Sequence, residues 1–305
     1  MNCPNKLWPG KSWLGVAVFL LVFACNSGFA QDPSSQKATE AGSQAQTSPE
    51  QSASSSPRLT RAQIEDYLLK AKVMSHRSLS TGVTDSQRAV LDDGKLKHEA
   101  HIQTVDISKT SFQTQRGTEF NFRDSYKFNM AAYELDKLLD LNMVPPSVER
   151  KVIGHSAAVT WWVDDSMMEL ERTKKKMEPP DQNRWNLQMY CVRVFDQLIY
   201  NTDRNLGNLV ITKDWKIWMI DHTREFRTMK DLQNVKNLVQ CDRKLLAKLR
   251  ELNMETLKQK LGHYLTSSEI EGILARRDKI VKFFDDQVAL KGEAAVLYDL
   301  DGSKL

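Results

Sequence analysis

The chain has 305 residues, of which 43 are Lys or Arg and 39 are Asp or Glu, so its formal net charge is only +4. This balance gives no electrostatic signature of a nucleic-acid-binding protein. The four cysteines form neither a CxxC pair nor a Cys/His cluster, which excludes the usual pattern of a structural zinc site. About 245 residues follow position 58, enough for one domain of two lobes with a sizeable core.

Residues 1–30 have the pattern of an export signal. Two lysines precede an apolar run from Leu14 to Ala24, and small residues follow it. The run is too short to predict a membrane span. Two processing sites stay open: the stretch ending at Cys25 resembles a bacterial lipobox and predicts lipidation of that cysteine, whereas cleavage after Ala30 would release the chain. Both predict export, either as a periplasmic or cell-surface lipoprotein, with membrane contact only through the lipid anchor, or as a secreted protein.

Residues 31–58 are rich in Ser, Gln, Ala, Pro and Thr and contain almost no large apolar side chain. Such a segment cannot bury enough surface to offset the entropy lost on ordering. We therefore predict a disordered linker, with the folded domain beginning near Leu59.

The region after the linker alternates between strand and helix signals. Thr60 and Gln63 form a capping-box pattern, which predicts a helix as far as about His76. Asp93-Gly94 lies between two alternating runs and predicts a β-hairpin. Further elements are expected at 108–122 (a polar loop or ragged strand), 126–141 (an amphipathic helix), 147–153 and 157–163 (strands).

The second half of the chain is predicted to be mostly helical. Thr266 and Glu269 form another capping-box pattern, at the start of the last long helix. Cys191 and Cys241 are expected to be two free or buried thiols, although export leaves a disulfide between them open. A frayed tail is expected at 299–305. Helices are expected at 183–201, 228–236, 242–252, 254–262 and 267–291, with a short helix or linker at 167–176.

Three oxygen-bearing side chains are spaced around a predicted hairpin. Asn208 follows Asp203 by five residues, and Asp221 follows Asn208 by thirteen. The β-forming segments 208–212 and 217–221 fold back on each other, which brings Asn208 and Asp221 side by side, with Asp203 on the preceding loop. Carboxylate and amide oxygens suit Mg²⁺ or Mn²⁺ carrying a nucleotide phosphate. The alternative is a hairpin whose polar ends are only turn and cap residues.

This spacing resembles the catalytic and metal loops of the protein-kinase-like superfamily, in which an Asp, an Asn five residues later and a second Asp after a hairpin form the site. The residues of these two motifs are similar to those of atypical branches of the superfamily. These branches are the secretory-pathway (Golgi casein) kinases, the HipA-like kinases and the phosphatidylinositol kinases. Asn201-Thr202-Asp203 stands where ordinary kinases have His-Arg-Asp, and Asp221-His222-Thr223 stands where they have Asp-Phe-Gly.

A second segment, 124–151, resembles the helix region of the secretory-pathway kinases, so the resemblance covers roughly 85–230 in order. It implies an α+β, two-lobed kinase-like fold. The small lobe, at 59–165, would be β-rich with one main helix. The large lobe, at 166–298, would be mostly helical.

The resemblance also implies an enzyme that moves a phosphoryl group from ATP, or another nucleoside triphosphate, to a hydroxyl acceptor. Asp203 would accept or orient the proton of the attacking hydroxyl. Asn208 and Asp221 would hold Mg or Mn against the phosphates. Arg204 would steady Asp203 or a phosphate oxygen.

Two charged residues of the family's nucleotide site are replaced in this chain. Gln103 stands where the phosphate-binding Lys of the third strand is expected, and Asn129 where the helix Glu is expected. A neutral Gln–Asn pair would avoid a lone buried charge, which costs roughly 3–5 kcal/mol. Alternatively the alignment is shifted, and Lys97 or Lys109 supplies the cation with Glu134 as the acid. Strand alternation puts Lys97 on the same face as Gln103.

The sequence contains no G-x-G-x-x-G motif, and residues 82–86 are a weak candidate for a loop over the phosphates, with an ordinary turn as the simpler interpretation. Two functions therefore stay open. One is an exported kinase-like phosphotransferase, with protein as the preferred acceptor; a sugar hydroxyl, an inositol lipid or the chain's own Ser-rich linker are alternatives. The other is a pseudokinase-type envelope lipoprotein that binds a nucleotide or a partner without catalysis.

Overall fold

The computed structural model describes residues 59–79, 86–114, 117–152 and 154–300. Three predicted features lie outside these residues: the export signal with Cys25, the linker 31–58, and most of the candidate phosphate cover at 82–86.

The described chain is rich in strands first and in helices afterwards, which confirms the predicted α+β, two-lobed arrangement. The first part contains α1 (Arg61–Lys70), β1 (Lys72–Ser78), β2 (Ser86–Asp92), β3 (Lys97–Gln103), β4 (Asp106–Thr114), β5 (Gly117–Ser125), α2 (Tyr126–Leu139), β6 (Ser147–Val152) and β7 (His155–Trp161). The second part contains β8 (Ser166–Met168), α3 (Glu169–Lys174), α4 (Gln182–Ile199), β9 (Leu209–Thr212), β10 (Ile217–Met219), a 3₁₀ turn (Val235–Asn237), β11 (Cys241–Asp242), α5 (Arg243–Glu251), α6 (Met254–Leu261), α7 (Ser267–Lys291), α8 (Glu293–Val296) and β12 (Leu297–Tyr298).

An antiparallel sheet with the strand order β1-β2-β3-β7-β6 forms the centre of the first part. The predicted β2–β3 hairpin is confirmed. The Asp93 carboxylate accepts the N–H groups of Lys95 and Leu96, and Gly94 takes the positive φ of +85° that this turn requires. The turn chemistry is local, so the sequence alone was sufficient to place it.

The two faces of this sheet are covered by different helices. On one face Tyr67 and Leu68 of α1 pack with apolar residues of β2, β3, β6 and β7. On the other face Met130 of α2 packs with Ala158. Gln103 is the register partner of Ala158, and partners in an antiparallel pair share a face. Gln103 therefore lies on the α2 side of the sheet.

The helix predicted as far as His76 is wrong beyond Lys70. Its capping box at Thr60 is present, but residues 72–78 form strand β1, which pairs along β2. The Arg150 guanidinium donates to the carbonyls of Leu69 and Ala71, and it thereby takes acceptors that a longer helix would use. Strand pairing and this distant arginine override the local helical pattern.

The segment 108–122, predicted as a polar loop or ragged strand, is part of a long two-stranded hairpin formed by β4 and β5. Phe112 and Phe122 stack with their ring centroids 4.2 Å apart, while Phe120 is exposed. The hairpin buries little apolar surface of its own, so its sequence is too polar to predict two regular strands.

The largest apolar core lies between α2, α4, the β9–β10 pair and helices α5 to α7. The prediction of unbonded, buried Cys191 and Cys241 is confirmed. Of the predicted frayed tail at 299–305, Leu300 is held by its N–H, which donates to the Asp242 carboxylate, and residues 301–305 lie outside the described residues. Among the described helices, none combines the length and the apolar character needed to cross a membrane.

Residues 228–236 are not the predicted helix; the structure has only a 3₁₀ turn near their end. The guanidinium of Arg276, which is fully buried, donates to the carbonyls of Leu198, Arg227 and Met229. The carbonyl of Met229 belongs to this segment, and that of Arg227 immediately precedes it. Because a distant side chain takes them, the local helical pattern does not decide the conformation.

Candidate active site

The loop that carries Asp203 begins where α4 ends. Tyr200 caps the helix in the left-handed conformation, with φ +55°. The buried Asn201 side chain then donates to the Asp196 carboxylate and accepts the N–H of Asp203 at 2.8 Å. Asn201 thus fixes the backbone of Asp203 relative to the helix, a positioning role that the spacing of the motif did not indicate.

Asp203 and Asn208 are joined across the loop. The Asn208 side-chain amide donates to the Asp203 carbonyl at 3.0 Å, and so does the side-chain amide of Asn205. Because Nδ2 of Asn208 is used in this bond, its Oδ1 is the amide atom left to face a metal. The five-residue spacing therefore closes a compact loop with an oxygen donor at its end.

Asp221 is brought beside Asn208 by the β9–β10 hairpin, as the spacing predicted. The N–H of Ile220 donates to the Asn208 carbonyl at 3.2 Å. Asp221 follows in the left-handed conformation, with φ +58°, and its side chain is exposed. This turn lifts the carboxylate out of the strand direction and ends the hairpin at the mouth of the site.

A third carboxylate, that of Asp124 at the end of β5, belongs to the same electrostatic site. Although Asp221 reaches solvent, the protein packed around it disfavours the charged carboxylate, and the negative charges of Asp203 and Asp124 add to this effect, so the pKa of Asp221 is raised. Asp124 itself is only 2% exposed, and none of the described residues forms a hydrogen bond with its Oδ1. The motif did not contain Asp124, because it lies on another sheet and far away in the sequence.

Arg204 was predicted to steady Asp203 or a phosphate oxygen, but its hydrogen bonds in the structure go to other groups. Its guanidinium donates to both carboxylate oxygens of Asp196 and to the carbonyls of Asn208 and Ile220. It therefore ties α4 to both ends of the hairpin from behind the site. The negative charge of Asp196, in the last turn of α4, draws the guanidinium away from Asp203.

His222 and Glu225 form a buried pair next to Asp221. Nδ1 of His222 lies 2.8 Å from the Glu225 carboxylate. Burial, together with the nearby Arg204 charge, lowers the pKa of His222 to about 3, and burial raises the pKa of Glu225. Burial thus favours the uncharged form of each group, and His222 acts in packing and hydrogen bonding.

Comparison with solved structures identifies the architecture. The chain is similar to the structure of hydra Fam20 with sugar, with a TM-score of 0.59 and 14% identity over 79% of this chain and 92% of that chain. The chain has a protein-kinase-like fold. Two crystal structures of the Golgi casein kinase, the second with Mn/ADP bound, align with TM-scores of 0.55 and 0.57, each at 13% identity over 79% of this chain and 80% of theirs.

No protein-family model matches the sequence, and no curated protein matches it. At these identities the likeness establishes a kinase-like fold that resembles the secretory kinases. The chemistry has to be argued from the residues of this chain.

In this kinase-like fold the predicted Gln103–Asn129 pair does not form. Gln103 donates to the Ser86 hydroxyl at 3.0 Å, and its Oε1 accepts the N–H groups of Thr104 and Val105. Asn129 instead accepts the N–H of His222 at 2.7 Å. The amide on α2 thus holds the backbone at His222, next to Asp221, and the amide on β3 holds the end of its own strand. Both are satisfied separately, which corrects the expectation that they satisfy each other.

The shifted alignment is not supported either. Lys97 is exposed at the opposite end of β3 from Gln103, six residues or about 20 Å away along the strand, and its ammonium lies 3.7 Å from the Asp92 carboxylate. Alternation gave its face correctly but not its position. Lys109 lies on β4 with its ammonium over the Phe112 ring, and Glu134 pairs with Lys137.

The donor set of the site suits a metal that is shared with a ligand. Within the described residues, no three His, Cys, Asp or Glu side chains lie close enough to hold a metal by themselves. Asp221 and Asn208 provide hard oxygen donors, which fit Mg²⁺ or Mn²⁺ when phosphate oxygens complete the coordination. The unpartnered Oδ1 of Asp124 adds negative charge beside them.

His101 lies on the same face of β3 as Gln103, and the pH dependence of stability tests whether its ring is buried there. Burial lowers the pKa of His101 to about 4. Because an unfolded histidine has a pKa near about 6.5, the folded chain binds fewer protons between these values. The contribution of the buried, uncharged His101 ring to the free energy of unfolding is therefore complete above about pH 6.5 and is lost as the pH falls towards about 4.

We expect His101→Gln to remove the part of the acid-induced loss of stability that comes from protonation of His101. Between pH 7 and about pH 4.5, the free energy of unfolding should fall by about 1–2 kcal/mol less in the variant than in the wild type; the full shift is discounted for the partial exposure of the ring. Urea unfolding at both pH values measures the difference. An identical pH dependence in the two proteins would show that the His101 ring is not kept neutral by burial.

Proposed function

We propose that this chain is a metal-dependent phosphotransferase that moves the terminal phosphoryl group of a nucleoside triphosphate to a hydroxyl acceptor. The observation that carries the proposal is the convergence of Asn208 and Asp221 through the Ile220 N–H, with Asp203 bonded to Asn208 on the preceding loop. In a kinase-like fold, this is the arrangement that such chemistry needs.

Each residue has a separate task in this proposal. The Asp203 carboxylate orients the acceptor hydroxyl and takes its proton as the oxygen bonds to the terminal phosphorus and the bond from that phosphorus to the departing nucleoside diphosphate breaks. Asn208 and Asp221 are the residues that would hold the metal. The metal, when bound, neutralises charge on the phosphates. Asn201, Arg204 and Asn129 hold the two loops in place, so the rate depends mainly on positioning.

The similar structures and the donor set support a proposal for the cofactor and the acceptor. One Golgi casein kinase structure contains Mn/ADP, and the hydra Fam20 structure contains a sugar. We propose ATP with Mn²⁺ or Mg²⁺ as the donor for this chain. We propose a protein hydroxyl as the acceptor, with a sugar hydroxyl as the alternative to be tested beside it.

One observation favours a second function, nucleotide binding without transfer. Gln103 ends the strand where the family has its phosphate-binding lysine, and the described part of β3 places Lys97 at the far end. A site without that cation would bind triphosphate less tightly and stabilise less charge during transfer. This is the pseudokinase alternative.

Transfer of labelled phosphate separates the two functions. The full-length chain would be incubated with ATP labelled in its terminal phosphate, with Mn²⁺ or Mg²⁺, and with a Ser/Thr-rich protein, a free sugar or no acceptor. Metal-dependent label on an acceptor, on the chain itself or in released phosphate is the expected result. Metal-dependent nucleotide binding with no transfer under any condition would contradict catalysis and favour the pseudokinase alternative.

A further inference from the structure

The proposed function leaves one requirement unmet, namely a cation for the phosphates. Gln103 is neutral, and its side chain forms hydrogen bonds with Ser86 and with the backbone at the end of its own strand. Transferring phosphoryl groups carry several negative charges, and one metal ion does not usually neutralise them alone. Another cation is therefore expected close to Asp221.

The backbone places Arg224 close to the residues that would bind the metal and the acceptor. It follows Asp221 by three residues, and its carbonyl accepts the Thr202 hydroxyl from the loop that carries Asp203. The preceding carbonyl, that of Thr223, accepts the N–H of Ser125 at the start of α2. Arg224 is thus fixed between the Asp203 loop and the end of β5.

The side chain of Arg224 is held from one side only. Its Nε donates to Oδ2 of Asp124 at 2.9 Å, and its Cζ lies 5.3 Å from the centroid of the Phe122 ring. Asp124 is almost fully buried, whereas the Arg224 side chain is 26% exposed. Among the described residues, the hydrogen bonds of this guanidinium use Nε alone. Its two terminal NH₂ groups are the donors left for a ligand.

The charges around Arg224 also suit a metal-bound phosphate. Partial burial acts to lower the pKa of Arg224, but the hydrogen bond and charge of Asp124, together with Asp203 and Asp221, outweigh it and raise the pKa. The guanidinium is therefore always charged. Its positive charge thus lies beside the three carboxylates near which the metal-bound phosphates are proposed to sit.

The neighbouring arginines are engaged elsewhere. Arg204 is used by Asp196 and two carbonyls, and Arg227 donates to Glu119 and to the Asn121 carbonyl. Arg123 pairs with Glu269. Strand alternation puts Arg123 on the face of β5 opposite to Asp124, and hence away from the carboxylates of the site.

We propose that Arg224 is the phosphate-binding cation of this site, in place of the strand lysine that Gln103 replaces. Its terminal NH₂ groups would bind phosphate oxygens of the nucleotide beside the metal held by Asp221. Asp124 is the positioning residue that fixes the guanidinium through Nε. This inference rests on the proposed function, because it needs a nucleotide at Asp221.

Nucleotide binding tests the assignment without relying on turnover. The affinities of the full-length chain for ATP, ADP and adenosine would be measured by calorimetry with Mn²⁺, for the wild type, Arg224→Gln and the control Arg123→Gln. Arg224→Gln is expected to weaken ATP binding about 10- to 100-fold and to leave adenosine binding within about twofold, because only a phosphate contact is lost. Arg123→Gln should bind ATP like the wild type.

Two conservative changes separate binding from a structural effect. Arg224→Lys keeps the charge and should recover part of the lost affinity for ATP. Asp124→Asn should weaken ATP binding about 3- to 10-fold, and Asp124→Glu should restore it if the carboxylate acts by positioning Arg224. Should Arg224→Gln fail to fold, Arg224→Lys still decides, because loss of the planar fork should weaken ATP binding about threefold or more.

The outcomes also separate this inference from the function on which it rests. A wild-type chain that binds ATP with Mn²⁺, beside folded Arg224→Gln and Arg224→Lys variants of equal affinity, would overturn the role of Arg224 alone. A wild-type chain that binds no nucleotide under any metal condition would overturn the proposed function and this inference together.

Discussion

Replacing Asp203 by alanine is expected to lower the rate of phosphoryl transfer by about 10²- to 10⁴-fold, because a positioned general base contributes that much. Asp221→Ala should lower transfer at least as far, because it removes a carboxylate that would hold the metal. Both rates are measured with labelled ATP and saturating Mn²⁺. Asp66→Ala is the matched control, since that carboxylate lies exposed on α1 beside Lys70 and should leave transfer unchanged.

The two variants should differ in nucleotide binding. Asp203 has no role in holding the metal in this account, so Asp203→Ala should bind ATP with Mn²⁺ within a few-fold of the wild type. Asp221→Ala should lose the part of the affinity that depends on the metal. Full activity in either variant, with its fold intact by circular dichroism, would contradict the assigned roles.

Asp196→Ala is expected to have the largest effect on stability, a loss of about 3–5 kcal/mol in the free energy of unfolding. The Asp196 and Arg204 side chains are only 13% and 14% exposed, and Nη2 of Arg204 lies 2.9 Å from the carboxylate. Removing Asp196 leaves the Arg204 charge uncompensated among the carbonyls of Asn208 and Ile220. Urea unfolding at pH 7 measures the change.

The control for this prediction is an exposed pair of the same chemistry. Glu171 and Lys175 lie 2.6 Å apart on the surface around α3, and both side chains are at least half exposed. Glu171→Ala should cost less than about 1 kcal/mol. Equal costs for Asp196→Ala and Glu171→Ala would mean that the buried pair does not hold the two loops together.

Local signals in the sequence predicted much of the fold. Helix α7 begins at the capping box of Thr266 and Glu269, as expected, and the turn at Asp93-Gly94 forms the predicted hairpin. Strand β1 and the irregular segment after Phe226 were missed. In both, a distant arginine takes backbone carbonyls and thereby overrides the local pattern.

In the candidate site too, residues that are close in sequence were predicted, and a residue brought in by distant packing was missed. Asp203, Asn208 and Asp221 lie within 19 residues of one another, so a single loop and hairpin bring them together. Asp124 lies 79 positions before Asp203. Only the packing of β5 against the segment after Asp221, where Arg224 donates to Asp124, brings it to the site. Lys97 was assigned by strand face, which does not give the distance along the strand. Arg204 was assigned from its neighbour in sequence, whereas its partner is Asp196 on α4.

The central claim, that Asn208 and Asp221 hold a metal carrying a nucleotide, is tested most directly by a crystal structure with Mn²⁺ and ADP. Anomalous scattering from manganese locates the ion independently of any assumed chemistry. The account predicts a manganese peak within coordination distance of the Asp221 carboxylate and the Asn208 amide oxygen, with ADP phosphate oxygens on its other side. ADP bound elsewhere, or manganese away from both residues, would contradict it.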